Sequence, residues 1–533
     1  MSIINPVILR GVFAPAQAGF ARRLVLREVA ARRRPETIML GIRKLLAASF
    51  LLAAGAAQAA DDAVFVNAAA ASDLQDGLSP KTAVRSIATG IQRAVGSGRS
   101  RVLVAAGSYG AFRMANGIEV AGGYTQDFGR MDVAPTEAVG AFMAELGQNA
   151  VVLADGITQA TRLAGLTLRQ SAASAAGRNT VGIVIRNGSS GLVVENVKII
   201  GATAGAGLAG AAGSDASQLP AQAGAAGAAA VQLGFCNDST RRAGGAGGQN
   251  NPIGPTAAGG AGGAGGTQSS RCGGVLPDLT PTSGVAGAST GSAQGGAGGS
   301  ANSTAPAPKG ADGDVLFSVD GAHGAHGNGL LVLVNGAPAR TIGTAGALGQ
   351  HGVGGAGGGG GIGALNGASN AGAGAGGGGG GAGGSRAPYG GQPGLAGGNS
   401  IGILVLDSNP VIRNCAIVRG HGGAGGGGGA GGRGQPGGTG GAGGAGLPGL
   451  TGTSTRGAGG AGGAGSRGGH SGPGAGGPGG HSIGILRHAT SAPVIQSVAY
   501  SGGAGGNGGP AGEAHAGTGQ AGLPGQVHGL LGF

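Results

Sequence analysis

Three segments, far apart in the chain, carry nearly the same pattern, and each runs directly into a glycine-rich tract. They are Val181-Gly182-Ile183-Val184-Ile185 through Ile199, Ile401-Gly402-Ile403-Leu404-Val405 through Ile417, and Ile483-Gly484-Ile485-Leu486 through Tyr500. Each unit is a short apolar run, a small-polar turn and a second apolar run with polar interruptions. Short strands of this kind cannot bury a face alone, so they must stack on one another. Runs of Val, Ile and Leu broken by Gly and Asn suit short parallel strands turning through tight corners. The expected fold class is all-β, a stacked parallel solenoid.

The tracts between the units set the composition. Glycine supplies 134 of 533 residues, about a quarter of the chain against a usual ~7%. Aromatics are 3%, charged residues 10%, and tryptophan is absent, so a large aromatic-rich enzyme core is not expected. A collagen triple helix is disfavoured, because glycine spacing drifts between every second and every third residue and proline numbers only 23. Two readings of the tracts stay open. One is disorder. In the other, extended helices of three residues per turn lie side by side, glycine allowing the close approach that their unpaired N–H and C=O groups require.

Near the N-terminus, Arg43-Lys44, the apolar stretch from Leu45 to Ala57, and Ala57-Gln58-Ala59 read as a secretion signal. Met39 would then be the start, with residues 1–38 an upstream extension; a long signal or a transit peptide is the rival. The apolar run is shorter than the ~20 residues of a membrane span. The formal charge of +12 comes from 33 basic and 21 acidic residues, of which 1–59 hold 9 and 2, leaving 24 − 19 = +5. With few aromatics to stack bases, nucleic acid is not an expected partner. In an exported chain, Cys236 and Cys272 are candidates for a disulfide, and Cys415, within a strand, is a buried apolar residue.

The expected organisation is a signal at 39–59, an N-terminal cap at 60–133 and coils at 134–200. A first glycine-rich insert at 201–327 and a second at 336–398 flank a strand at 328–335 that returns to the stack. A coil at 399–419, a third insert at 420–480, a coil at 481–501 and a glycine-rich tail at 502–533 complete it. In the cap, Val64–Asn67 reads as a strand and Ser86 as the cap of a short helix with Ile87, Ile91, Ala94 and Val95 on one face.

The order VFVNAAAASDLQDGLSPKTAVRSIATGIQRA, then RVLVAAGSYG, then GIEVAGGY resembles the opening of bacterial pectin-lyase-like proteins over roughly residues 62–125. That resemblance implies a right-handed parallel β-helix closed by an amphipathic helix, and it implies no activity. The Gly-Gly-Ala tracts are similar to the glycine-rich segments of PGRS proteins, which implies sandwiched polyglycine-II helices.

Chemistry is sparse. G-x-G-x-x-G recurs as a product of composition, without the strand and helix that give it meaning. No phosphate-binding loop or calcium nonapeptide occurs, and Asp312 with Asp314 read as a solvated turn. A polysaccharide lyase or hydrolase needs carboxylates projecting from adjacent coils. The candidates are Glu195, Lys198, Asp407, Arg413, Arg419 and Arg487. Aligned by repeat, Glu195, Arg413 and Gln496 form one polar row, and Asn196 and Asn414 mark a coil corner. The histidines sit in glycine tracts or at their edges, His323 and His326 included, and read as exposed polar residues. No catalytic, cofactor or metal role is assigned. The expected function is an exported, non-catalytic structural or adhesive surface protein whose ligand is a surface glycan or another cell-surface component. The alternatives are a polysaccharide-active enzyme and, lacking repeated threonine rows, ice binding.

Overall fold

The computed structural model describes residues 62–129, 136–233, 239–251, 257–268, 282–290, 294–298, 305–313, 319–363, 372–448, 456–515 and 517–533. The signal segment, the upstream extension and Cys236, Cys272 and Asp314 lie outside them.

Three parallel sheets dominate. The first orders Ala63–Val66, Arg101–Ala105, Glu119–Tyr124, Thr161–Ala164, Leu192–Glu195, Val411–Arg413 and Val494–Gln496. The second runs from Gly107–Tyr109 through Thr136–Val139, Thr167–Arg169, Lys198–Ile200 and Ala416–Val418 to Ala499–Ser501. The third runs from Phe112–Arg113 through Gln148–Asp155, Thr180–Arg186, Ser400–Val405 and Ser482–Arg487 to Val527–Gly532. From Phe112 onward the chain visits the third, first and second sheets in turn, then repeats.

Local chemistry sets the corners. Between the first and second sheets the chain turns at Gly165, Asn196, Asn414 and Ser497, with φ of 67°, 51°, 53° and 51°. This left-handed conformation suits Gly and Asn, whose short amide hydrogen-bonds locally. The third sheet explains the repeated Ile-Gly-Ile-Leu run. Ile183, Ile403 and Ile485 face one apolar cluster, whereas Val181, Val184, Ile401, Leu404, Ile483 and Leu486 belong to another. A strand buried on both faces needs a continuous apolar run. Each such Ile or Leu contributes roughly 1.5–3 kcal/mol by its burial. The intervening glycine leaves room for the neighbouring sheet: a Cβ on Gly402 would lie 2.5 Å from the Gly484 carbonyl oxygen and 2.7 Å from Ile417 Cγ2.

A single α-helix among the described residues, Ile87–Ser97, closes the N-terminal end. Ser86 Oγ accepts the Thr89 amide and Gly98 ends the helix at φ 71°. Ile87, Gly90, Ile91 and Ala94 are its buried residues. Val95, expected on that face, is instead 57% exposed, because Gly90 takes the space against Val66. Gly96 has nothing within 4 Å of a Cβ placed on it. Gly96→Ala should therefore raise the unfolding free energy by about 0.5–1 kcal/mol, read as a higher urea midpoint. Gly90→Ala should do the opposite, since its Cβ would meet Val66 Cγ2 at 2.4 Å.

Two boundaries differ from those expected. Residues 328–335 do not return to the stack: Leu331–Val334 pairs antiparallel with Ala337–Arg340 as a separate hairpin. Its turn is Asn335-Gly336, with φ of 51° and 77°, the dipeptide that fits a two-residue hairpin. The excursion from the coils is thus one long passage between Ile200 and Ser400. The tail, in turn, is not wholly glycine-rich loop, because Val527–Gly532 returns to pair with Ser482–Arg487.

All three long glycine passages leave after a second-sheet strand and return before a third-sheet strand. They are ordered against one another by backbone hydrogen bonds. The amides of Gly376, Gly377 and Gly378 donate to the carbonyls of Ala228, Gly263 and Gly460. Those of Gly379, Gly380 and Gly381 return to the same three segments, at Ala225, Gly260 and Gly463. The carbonyls of these six residues accept from Gly444, Gly245, Gly358, Gly441, Gly248 and Gly355, all twelve bonds spanning 2.7–2.9 Å. Directions therefore repeat every third residue, the periodicity of a helix with three residues per turn. Donors and acceptors together reach six neighbouring segments, so this buried stretch leaves no backbone polar group unpaired.

Candidate functional site

The polar row expected across the repeats is present in register: Glu195 pairs with Arg413, and Arg413 with Gln496. It belongs to a longer ladder. Arg101 meets Glu119 at 3.1 Å, Glu119 meets Arg162, Arg162 meets Glu195 at 2.9 Å, and Glu195 meets Arg413 at 3.1 Å. Sequence reading missed Glu119 and Arg162, which lie in coils that lack the Ile-Gly-Ile motif. A groove of about 380 Å³ lies alongside, lined by Arg101, Glu119, Thr161 and Arg162 among others. Glu195 is poorly suited to proton transfer. Hydrogen bonds from Arg162 and then Arg413 hold the Glu195 carboxyl below its ordinary range, whereas a general acid needs its pKa raised.

A second ladder lies on the third sheet. Burial alone would raise Asp155, but hydrogen bonds from Arg186 and Asn187, with the nearby Arg113 charge, hold it low. The other candidates stand apart from both ladders. Lys198 is exposed on the second sheet. Asp407 sits at a corner with φ 47° and accepts from Thr490. Arg419 Nε donates to the Gly502 carbonyl at 3.0 Å, and Arg487 Nη1 to that of Ser491 at 2.9 Å. Asp312 pairs with Lys309 at 2.8 Å and accepts the Ala464 amide at 2.8 Å. Cys415 is buried and free, its thiol pushed up by burial. Among the described residues, no three His, Cys, Asp or Glu side chains converge to hold a metal ion, and no helix is long and apolar enough to cross a membrane.

A third ladder lines the entrance to the third-sheet strands, where glycine passages rejoin the coils. The Asn399 amide donates to Asn179 Oδ1 at 2.7 Å, the His481 amide to Asn399 Oδ1 at 2.8 Å, and the Gln526 amide to His481 Nδ1 at 2.9 Å. The side-chain amides of Asn179 and Asn399 also donate to the Pro338 carbonyl, at 2.9 and 3.1 Å. This fixes the hairpin over the ladder. Buried Arg340, on the same hairpin, donates to the carbonyls of Gly329, Gly479, Leu523 and Pro524. These residues hold the glycine assembly onto the coils.

A further groove lies in the glycine assembly itself, with a volume of about 490 Å³ and a lining rich in carboxamides. Compared with known proteins, the chain matches no family model, no curated protein and no solved structure.

Proposed function

We propose that the three sheets close as a right-handed parallel β-helix, that the glycine passages form a polyglycine-II bundle on one side of it, and that the protein is an exported, non-catalytic scaffold for contact with surfaces. The observation that carries this reading is the six-neighbour hydrogen bonding of residues 376–381. Fixing a glycine backbone costs about 1–2 kcal/mol per residue, so a flexible spacer would not retain such a network. A rigid slab with few charges presents a broad, shape-defined face, as adhesion or matrix contact requires. The enzymatic alternative finds no support in the ladders, whose carboxylates are occupied by arginines.

Hydrogen exchange on the chain from Ala60 tests the architecture, and adhesion to polysaccharide-coated surfaces tests the role. Slow exchange of the amides in 372–384 is expected, together with adhesion that is lost when residues 202–398 are replaced by a ten-residue coil connection copied from 170–179. Complete exchange of those glycines within seconds would overturn the bundle. Adhesion undiminished by the replacement would remove the bundle from the function.

A further inference from the structure

The groove in the glycine assembly arises from two register slips. Ala216 and Ala221 donate to Arg433 and Pro436, so five residues on one segment span three on its neighbour, and the surplus Ser217–Pro220 is pushed outward. Likewise Ala387 and Gly391 donate to Gly469 and Gly472, four residues against three, which expels Pro388 and Tyr389. Pro220 and Pro388 line the resulting groove. Tyr389, next to the second slip, is 67% exposed.

Two of the lining carboxamides are consumed in holding the floor. Asn250 Nδ2 donates to the Gly383 carbonyl at 2.7 Å and to Gln435 Oε1 at 3.2 Å. Gln435 Oε1 also accepts the Ser385 amide at 3.1 Å, and its Nε2 donates to the Leu219 carbonyl at 2.9 Å. Others are left over. Gln222 spends only its oxygen, on the Gln249 amide at 2.9 Å, and exposed Asn251 has no hydrogen-bond partner among the described residues. The Arg386 guanidinium has one long contact, 3.5 Å to the Gly349 carbonyl. Among the described residues no carboxylate lines the groove.

We infer that this groove is an oligosaccharide-binding site. Carboxamides offer a donor and an acceptor side by side, matching hydroxyl groups that also play both parts, and a guanidinium forks across adjacent oxygens. The rings of Pro220 and Pro388 offer apolar faces for the C–H side of a sugar ring. The volume falls in the ~300–1,000 Å³ range of small-ligand clefts. The inference rests on the surface-contact reading and gives it a partner class and a location.

An array of immobilised neutral oligosaccharides (cello-, malto-, chito- and xylo-series) and uronate-containing ones, probed with the chain from Ala60, tests it. Retention on at least one series is expected, falling at least tenfold in Gln222→Ala and Asn251→Ala and unchanged in Lys198→Ala. Among the described residues Asn251 makes no hydrogen bond, so its loss of binding is not expected to come from misfolding, and unchanged urea midpoints check this. No retention on any series, or retention undiminished in both variants, would overturn the site. Adhesion of the whole chain that survives both substitutions would sink the groove and leave the adhesive reading standing. Retention on the array without adhesion would do the reverse.

Discussion

Gly378→Ala should be severely destabilising, whereas Gly427→Ala, in a tract of the same composition, should be nearly silent. A Cβ on Gly378 would lie 2.0 Å from the Gly441 carbonyl oxygen, 2.6 Å from the Gly441 carbonyl carbon and 2.7 Å from the Ala442 oxygen. All three are backbone atoms, so no side-chain rotation relieves the clash. Room comes only from separating two segments that also carry the Gly441-to-Gly379 hydrogen bond. Overpacking commonly costs ~1–3 kcal/mol, and a backbone clash lies at or above the top of that range. At Gly427 the nearest atom is Pro510 Cγ at 3.3 Å, a ring at the outer side that shifts by a few tenths of an ångström, for a change within about 0.5 kcal/mol. Urea midpoints and amide exchange over 372–384 and 438–446 check both. Equal effects in the two variants would mean that the tracts are not packed as described.

That contrast marks how far sequence reading reaches. Strand placement was legible because a Val/Ile-Gly-Ile run recurs in three units, each followed 12–14 residues after its glycine by a corner residue (Asn196, Asn414 or Ser497), and the Glu195–Arg413–Gln496 register followed from aligning those corners. The earlier coils carry no such unit, so Glu119 and Arg162, two of the five charged residues of the ladder, could not be aligned. The hairpin was missed although Asn335-Gly336 announces it, because Leu-Val-Leu-Val alone fits a buried strand equally well. The tracts are a different case. Every Gly-Gly-Ala repeat offers the same donors and acceptors, so composition permits the bundle without naming which segment lies beside which. Neighbours are set by where the coils release and recapture the chain. The groove was invisible for the same reason, since its rims come from slips between segments that lie far apart in the chain, Ala216 against Arg433 and Ala387 against Gly469. Its one sequence signal is the polar break in each tract: Ser217–Pro220, Gln249–Asn251, Ser385–Tyr389 and Gln435.

His481 should make the fold sensitive to mild acid. Burial, then the Arg340 charge and His528, bring its pKa from 6.5 down to about 4. Geometry gives the same sign, because Nδ1 accepts the Gln526 amide at 2.9 Å and a proton there would set donor against donor. In the unfolded chain the ring takes its proton near pH 6.5, while the folded ring stays neutral until about pH 4. Stability contributed by the neutral ring is therefore complete above pH 6.5 and is lost as pH falls from 6.5 to 4, by at most about 3 kcal/mol. His351 and His470, also held low chiefly by burial, add in the same direction, so the test must be a difference. The ladder supplies the comparison, since Asn399 and Asn179 do the same work one and two coils earlier without titrating. His481→Asn should keep a side-chain oxygen for the Gln526 amide and flatten the profile. Urea unfolding at pH 7.5, 6, 5 and 4.5 should show the unmodified protein losing about 2 kcal/mol or more relative to the variant. Parallel pH profiles would show that the Gln526 contact does not hold the ring neutral, and the ladder's third rung would then fall.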